Sequence, residues 1–326
     1  MVRLLVQKFV RESQFLFLAL ASLLVLFCAS RVWIAGQFDL SSFKPLLEQL
    51  RRFERFMPVP LDHVLTYSGS IALTLSEPLL IFSILTWCIA RGSDVISGEI
   101  GRGSLEMLLA NPISRTKIVL THYILSAVGL GLLCLTIWTT IHIALKYCSV
   151  RETVSNTATF TLPFVPVQVP IQLGEPEEVL TPLASRVDSS IFVVPCINLF
   201  AFGFFVLSLA VGVSCVDRYR WRCIGVTLAI YVLQLLIFLL SKVGTSWRGL
   251  EWATVLSLYQ PDLTALVTQR IEGSQWTVVA SEAMQDSVWR FTLGPIGMTG
   301  ILTILGLTVV TSAIAYLNRR DLPAPL

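Results

Sequence analysis

Charged residues are scarce in this chain: only 14% of its 326 residues are Asp, Glu, Lys or Arg, against about 25% in soluble globular proteins. Apolar residues make up 54% of the chain, and they fall in long blocks that contain almost no charge. A soluble protein would distribute them at helix or strand periods. The composition therefore excludes an ordinary soluble domain and indicates a membrane protein.

Signatures of several other protein classes are also missing. Dense Lys and Arg runs are absent and the net charge is only +3, so no nucleic-acid partner is expected. Most of the 7 cysteines lie in or beside apolar blocks, whereas a disulfide framework would place them in loops. No C-x-x-C or His-rich pair suggests a metal, and no Ser/His/Asp or Cys/His set suggests catalysis.

A phosphate-binding loop is missing as well. No G-x-x-x-x-G-K-[ST] occurs, and Gly101-Arg102-Gly103 lacks both a third glycine and a preceding strand. We therefore expect no cofactor or metal in this chain, no ATP hydrolysis by phosphate-loop chemistry, and no enzymatic activity of its own.

Six apolar blocks are long enough to cross a hydrocarbon core of about 30 Å as helices. They lie at about residues 15–36, 66–90, 118–145, 190–216, 223–241 and 294–317. We therefore predict an all-α integral membrane protein whose six transmembrane helices form a single domain over 1–326. Residues 1–14 have one apolar and one basic face, which is typical of an interfacial helix, although they could equally be the charged flank of the first span.

The distribution of Lys and Arg predicts the orientation of the spans. Six spans place both termini on the same side, and one set of connecting segments is denser in Lys and Arg. This set consists of residues 1–14, 91–117, 217–222 and 318–326. Because such segments stay in the cytoplasm, we expect a multi-pass protein of the cytoplasmic (inner) membrane with both termini cytoplasmic.

Three sizeable segments are expected on the outer side. Residues 37–65 contain apolar residues at helical spacing and predict an amphipathic helix. Residues 149–189 are rich in Val, Thr and Pro and predict an irregular or partly β loop. Residues 244–293 contain short apolar stretches that could form short helices dipping into the outer membrane face.

The inner segment 91–117 carries the most distinctive pattern. Ser104 is a good N-cap for a very short helix, and Glu106 lies in its first turn, where a carboxylate favours the positive helix end. The helix has one apolar face, formed by Leu105, Leu108 and Leu109. Pro112 ends it, and Ser114 caps the helix of the third span. Such a leucine face requires a partner, either the membrane surface or a cytoplasmic protein.

This segment resembles the loop between the second and third spans of ABC-2 type permeases, where Glu precedes Arg-Gly-Thr-Leu-Glu-x-Leu-Leu, then Pro-x-Ser-Arg and a basic residue. The matching positions are Glu99, Arg102, Gly103, Ser104 (for Thr), Leu105, Glu106, Leu108, Leu109, Pro112, Ser114, Arg115 and Lys117. The resemblance implies the transmembrane permease subunit of an ATP-driven ABC exporter with an unidentified substrate. It implies a coupling helix docked on a separate ATPase subunit that binds ATP and Mg, and a second permease chain, identical or different.

Other interpretations of the same residues stay open. The charged side chains could form ion pairs that merely order a loop beside the membrane; these are Glu99, Arg102, Glu106 and Arg115. The chain could be a non-transport membrane scaffold, or an accessory of envelope or motility assembly, with the same fold. A membrane-embedded enzyme is disfavoured, since it would need polar catalytic residues at one depth in the spans. Membrane lipids, peptides, drugs and ions are all conceivable substrates.

Three polar residues inside the spans are further candidate sites, because polar and ionisable groups in a membrane are costly. They are Glu77, Asn198 and His142. Glu77 could instead reach the outer surface beside Pro78, and Asn198 could hydrogen-bond a neighbouring helix. His142 and Lys146 share a helix face and could anchor the outer interface.

Overall fold

The computed structural model describes residues 2–37, 63, 66–104, 114–154, 157–161, 168–172, 177–243, 245–287, 289 and 291–319. Within these residues, 6 helical stretches are long and apolar enough to cross a membrane. They are Leu5–Gln37, Tyr67–Gly101, Arg115–Tyr147, Ser189–Val216, Arg220–Val243 and Pro295–Arg319. The predicted all-α membrane architecture is therefore confirmed.

The helices surround one central helix. In chain order they are α1 (Val2–Gln37), α2 (Tyr67–Ala72), α3 (Pro78–Ser93), α4 (Arg115–Tyr147), α5 (Val193–Val216), α6 (Arg220–Val243), α7 (Pro261–Arg270), α8 (Glu282–Ser287) and α9 (Pro295–Arg319). Helix α5 contains no charged residue and packs against α3, α4, α6 and α9. A helix that is apolar all round is expected in such a core position.

The end of the bundle at which α1 begins is called the proximal end, and the opposite end is called the distal end. The start of α4 and the end of α9 meet proximally, where Arg115 Nη1 donates to Leu317 O at 3.3 Å. Helix α6 begins there too, since Arg220 Nη1 lies 3.4 Å from Asp94 Oδ1 just after α3. Residues 2 and 319 consequently lie at the same end, as six crossings require.

Helix α1 runs without interruption through the segment predicted as an interfacial helix. Residues 2–14 form the first turns of the same helix that makes the first span. Leu5 and Phe9 are buried, and the Phe9 ring meets the His122 ring edge-on with 4.5 Å between centroids. This end of α1 therefore packs on protein.

The second span, predicted over 66–90 with a proline kink at Pro78 as one possibility, is broken there. A 3-10 helix over Leu73–Ser76 follows α2, Glu77 is extended, and α3 starts at Pro78. The break follows from Pro78, which lacks an N–H and disfavours helical backbone at the preceding residue. At its proximal end α3 passes into a π turn over Asp94–Gly98.

The segment predicted to be irregular or partly β contains four described strands in two antiparallel pairs. Strand β1 (Ser149–Val154) pairs with β4 (Glu177–Pro182), and β2 (Thr157–Thr161) pairs with β3 (Gln168–Gln172). Opposed residues at the ends of these pairs are Ser149 and Pro182, and Thr157 and Gln172. The partly β expectation is confirmed.

The last distal segment folds into short helices, as predicted. Two 3-10 helices, Thr245–Ala253 and Val255–Leu258, precede α7 and α8. Residues 261–267 of α7 are buried, and this helix contacts both α2 and α5. The amphipathic helix predicted over 37–65 lies outside the described residues, apart from Gln37 and His63.

Candidate functional site

The chain leaves α3 through a segment that we call the elbow, residues 93–104. Its π turn, Asp94–Gly98, is wider than an α-helical turn, and such turns are frequent at functional sites. Ser214 of α5 supports it, because its Oγ accepts hydrogen bonds from Ile96 N at 3.1 Å and Ser97 N at 3.0 Å. The elbow is therefore fixed to the central helix.

Glycines shape the elbow at two positions. A Cβ on Gly98 would lie 2.1 Å from Asp94 Oδ1, so glycine lets the Asp94 carboxylate fold back over the turn. Gly103 has a φ of 68°, a left-handed conformation that glycine adopts at no steric cost. The chain thereby turns back, and the Ser104 hydroxyl donates a hydrogen bond to the Glu99 carboxylate.

Glu99 lies at the centre of the elbow, with only 1% of the residue exposed. Lys8 Nζ of α1 lies 2.9 Å from Oε1 and 2.8 Å from Oε2, and Arg102 Nη2 donates to Oε1 at 2.8 Å. A buried carboxylate is costly unless it is paired and hydrogen-bonded. These two cations supply the required pairing.

Asp94 forms a second ionic contact close by. Arg102 Nη1 donates to its Oδ1 at 2.8 Å, Arg220 Nη1 lies 3.4 Å from the same oxygen, and Arg91 Nη1 lies 3.6 Å from Oδ2. Arg102 thus bridges both carboxylates with its planar guanidinium. Burial opposes the charge of Arg102, but its hydrogen bonds to Asp94 and Glu99 and their negative charges outweigh burial and raise its pKa.

Arg91 also connects the elbow to α4. Its Nη2 lies 3.0 Å from His122 Nε2. Because a guanidinium can only donate, Nε2 accepts, which assigns the ring proton of His122 to Nδ1 and leaves the imidazole neutral. Ser126 Oγ lies 3.3 Å from that Nδ1.

The resulting ionic network joins four helices at the proximal end. It comprises Lys8 of α1, Arg91 of α3, Asp94, Glu99 and Arg102 of the elbow, His122 of α4 and Arg220 of α6. The ion pairs are 2.8 Å to 3.6 Å long, and both carboxylates are buried. A movement of the elbow would therefore act on four helices at once.

A family model with the description ABC-2 family transporter protein matches residues 6–322. The chain belongs to this family. No curated protein matches it. The matched range includes all six spans and the elbow, so the protein is a multi-pass membrane permease subunit of an ABC transporter. Family membership implies partnership with an ABC ATPase, the permeases themselves being non-catalytic transport subunits.

The residues that the sequence assigned to coupling are placed only in part. Glu99, Arg102, Gly103 and Ser104 lie together in the elbow of the permease. Ser114 caps α4 as predicted, its Oγ accepting from Lys117 N at 3.4 Å, and Arg115 contacts α9 as described above. The remaining positions, Leu105, Glu106, Leu108, Leu109 and Pro112, lie outside the described residues, and the leucine face stays a prediction.

Several members of the network were missed by the sequence reasoning. They are Lys8, Arg91, Asp94, His122 and Arg220. The spacing of Arg91 and Asp94 by three residues at the edge of a span was an available local signal. Lys8 and Glu99 are 91 positions apart, so no local spacing could have paired them.

The three intramembrane candidates of the permease have separate partners. Glu77 pairs with Arg31 at 3.0 Å. Asn198 Nδ2 donates to Leu258 O at 3.1 Å and Thr299 Oγ1 at 3.2 Å. His142 Nδ1 lies 2.8 Å from Ser189 Oγ. These contacts connect neighbouring elements and do not bring the three side chains into one site. Within the part of the chain that the structure describes, no group of His, Cys, Asp or Glu side chains could hold a metal ion.

Proposed function

We propose that this permease exports a substrate across the cytoplasmic membrane with energy from a separate ATPase subunit that docks on residues 91–117. The observation that carries the proposal is the ionic network, which connects the elbow to α1, α3, α4 and α6. Force applied beyond Ser104 would reach Glu99 and Asp94 through Arg102. The network ties the elbow to four helices instead of closing only within its own loop, which favours transmission of movement over simple loop ordering.

The docking surface in this proposal is the leucine face, Leu105, Leu108 and Leu109. ATP and Mg bind to the ATPase, and a second permease chain, identical or different, completes a pathway in which a cavity between the two is exposed alternately. The single membrane domain over 1–326 is oriented with its proximal end and both termini in the cytoplasm. The cations gathered at that end support this orientation.

Docking is tested by purifying the permease from membranes in mild detergent and measuring the co-purified ATPase and its hydrolysis rate. We expect Leu108→Asp to lose the ATPase while its helical content is unchanged. Leu180→Asp, an exposed leucine of β4, is the matched control and should retain it. Equal ATPase retention and activity in both variants would contradict the docking surface. If no ATPase accompanies even the unaltered chain, the scaffold interpretation takes precedence.

Orientation is tested with single cysteines introduced in a cysteine-free background and a thiol reagent that does not cross membranes. A cysteine at position 170 should react in intact cells, whereas one at position 110 should react only after the membrane is opened. The reverse pattern would place the elbow outside and refute the proposed direction of coupling.

A further inference from the structure

A groove between α4 and α5 opens to the side of the helix bundle, with a volume of about 390 Å³. Its lining is almost entirely apolar and includes Gly131, Leu135, Trp138, Val193, Ile197 and Phe200. These residues belong to the third and fourth membrane spans, and Leu135 at the rim is 52% exposed. In a membrane the groove therefore faces hydrocarbon.

Close helix packing requires one of two neighbouring glycines of α4 but not the other. A Cβ on Gly129 would lie 2.2 Å from the Trp87 ring, so glycine is required there for close contact with α3. A Cβ on Gly131 would lie 3.6 Å from the Phe200 ring, an ordinary van der Waals distance. Gly131 therefore leaves room that the described side chains do not fill.

The groove continues into a stripe of side chains on the same face of α4, and this stripe becomes polar toward the distal end. Gly131, Leu135, Trp138, His142 and Lys146 follow one another at helical spacing. The Trp138 and His142 rings stack with 5.4 Å between centroids, and Lys146 is exposed one turn further on. Along the stripe the side chains change from apolar to aromatic to cationic toward the distal end.

Hydrogen bonds hold Trp138 and His142 of the stripe in place, whereas the Lys146 side chain is exposed. Trp138 Nε1 donates to Ser189 O at 3.2 Å, and His142 Nδ1 lies 2.8 Å from Ser189 Oγ. Asp188, the neighbouring acid, accepts from Ser190 N at 3.0 Å and Ser190 Oγ at 2.7 Å. Lys146 forms no ion pair with any residue that the structure describes.

We propose that this groove binds one acyl chain of a phospholipid whose phosphate lies beside Lys146. An acyl chain is narrow and flexible enough to enter the groove, and its methylene groups match the apolar lining. Indole rings favour the membrane interface, and basic groups between spans bind lipid phosphates. The site goes beyond the transport proposal and does not depend on the ATPase.

The first test counts the phospholipids that stay bound to the full permease after extended washing in detergent, by native mass spectrometry. We expect one retained phospholipid on the unaltered chain and at least a tenfold loss of that species in Gly131→Leu, whose side chain would fill the groove. Gly225→Leu is the matched control, because a Cβ on Gly225 of α6 would have no atom of another residue's side chain within 4 Å. It should retain the lipid. Lys146→Gln should weaken retention without abolishing it.

Equal lipid retention in Gly131→Leu and the unaltered chain would overturn the proposal, as would equal loss in Gly225→Leu. A second measurement needs no variant and so survives a folding failure. A phospholipid with a photoreactive diazirine in the middle of one acyl chain is incorporated into membranes that contain the native permease. We expect adducts concentrated in peptides 131–138 and 193–200. Adducts spread evenly over these and the exposed face of α6 would mean ordinary surrounding lipid only.

Discussion

The two ends of the helix bundle bury carboxylates in opposite ways. At the proximal end, Glu99 and Asp94 are surrounded by cations at 2.8 Å to 3.6 Å. At the distal end, Asp262 is 2% exposed, and its Oδ2 accepts from Ser76 Oγ at 2.6 Å. No Lys or Arg within the described part of the chain pairs with Asp262, and its Oδ1 has no hydrogen-bond partner there.

This contrast shows that a buried carboxylate takes its charge state from its partners. Cations around Glu99 compensate for the loss of water, so an ionic network can exist there. Asp262 has no such compensation: burial, with a smaller contribution from Glu77, raises its pKa to about 7 although the Ser76 hydrogen bond opposes this. The proximal end therefore contains the ionic network, whereas the protonation of Asp262 makes the distal end sensitive to pH.

The largest expected effect tests the distal side of this comparison. Because the folded pKa of Asp262 is about 7 and its ordinary value is 3.8, its contribution to stability is complete below pH 3.8 and is lost as the pH rises through 7. A tenfold difference in proton affinity between the folded and unfolded protein corresponds to about 1.4 kcal/mol, so the effect amounts to a few kcal/mol. In Asp262→Asn, the fall in the thermal unfolding midpoint between pH 4 and pH 8 should be smaller than in the native permease.

Asp188 at the same end provides a control of opposite sign. Hydrogen bonds from Ser190 N and Oγ lower the pKa of Asp188, so its contribution is present above the ordinary pKa and is lost as the pH falls. Asp188→Asn should therefore leave the loss of stability toward pH 8 unchanged. If both variants reduced the loss of stability between pH 4 and pH 8 equally, the contrast between Asp262 and Asp188 would be refuted.

The next effect tests the ionic network at the proximal end. Arg102→Met removes the guanidinium that bridges the buried Glu99 and Asp94; the Arg102 side chain itself is 40% exposed, and Lys8, Arg91 and Arg220 still contact the two carboxylates. Hydrogen bonds to charged groups contribute about 1.5–3 kcal/mol, so we expect a loss of about 2–3 kcal/mol. Unfolding in detergent at pH 7 should show this loss. Arg218→Met, an exposed cation in the neighbouring turn, is the matched control and should unfold like the native chain. If the unfolding midpoints of the two variants were indistinguishable, the bridge made by Arg102 would contribute nothing to stability.

A smaller loss is expected at the support of the elbow. Ser214→Ala leaves the N–H groups of Ile96 and Ser97 without their acceptor in a buried site, at a cost of about 2 kcal/mol. Amide hydrogen exchange of residues 94–98 should accelerate. Ser312→Ala removes a hydroxyl bonded only within its own helix and should not change that exchange. Unchanged protection in Ser214→Ala would show that the π turn is held by other contacts.

The smallest effect belongs to the partly exposed pair of Glu77 and Arg31. Their side chains are 36% and 26% exposed and lie 3.0 Å apart, and pairs in contact with solvent contribute about 0–1 kcal/mol. Glu77→Gln should therefore shift the unfolding midpoint less than Arg102→Met, and salt should reduce the difference further. A loss as large as that of Arg102→Met would remove the distinction between the buried carboxylates and the partly exposed one.

Much of the fold could be predicted because it depends on local composition. Long apolar blocks must become helices in hydrocarbon, where backbone groups find no water, and Ser114 signalled the start of α4 by its own side chain. The break at Pro78 was also readable, since proline itself signals a kink in a predicted span. The sequence also pointed to Glu99, Arg102, Gly103 and Ser104 of the elbow as coupling residues, a role that stays a prediction.

The rest could not be predicted because it depends on contacts between distant parts of the chain. Lys8 belongs to the ionic network only because α1 continues as one helix through residues 2–14 and places its ammonium against Glu99. Trp138 has a role in the lipid proposal only because α4 and α5 leave a groove beside it. Neither arrangement has a local periodicity that would reveal it.

By itself, the sequence determined that this protein crosses a membrane six times and that a charged segment follows the second span, since hydrophobicity and helix capping act over short stretches of chain. Only the tertiary structure decided which carboxylates keep a cation and which do not. That choice depends on whether packing brings Lys or Arg within about 4 Å. Glu99 and Asp262 are both buried acids. Their surroundings alone make Glu99 a member of the ionic network and raise the pKa of Asp262 to about 7.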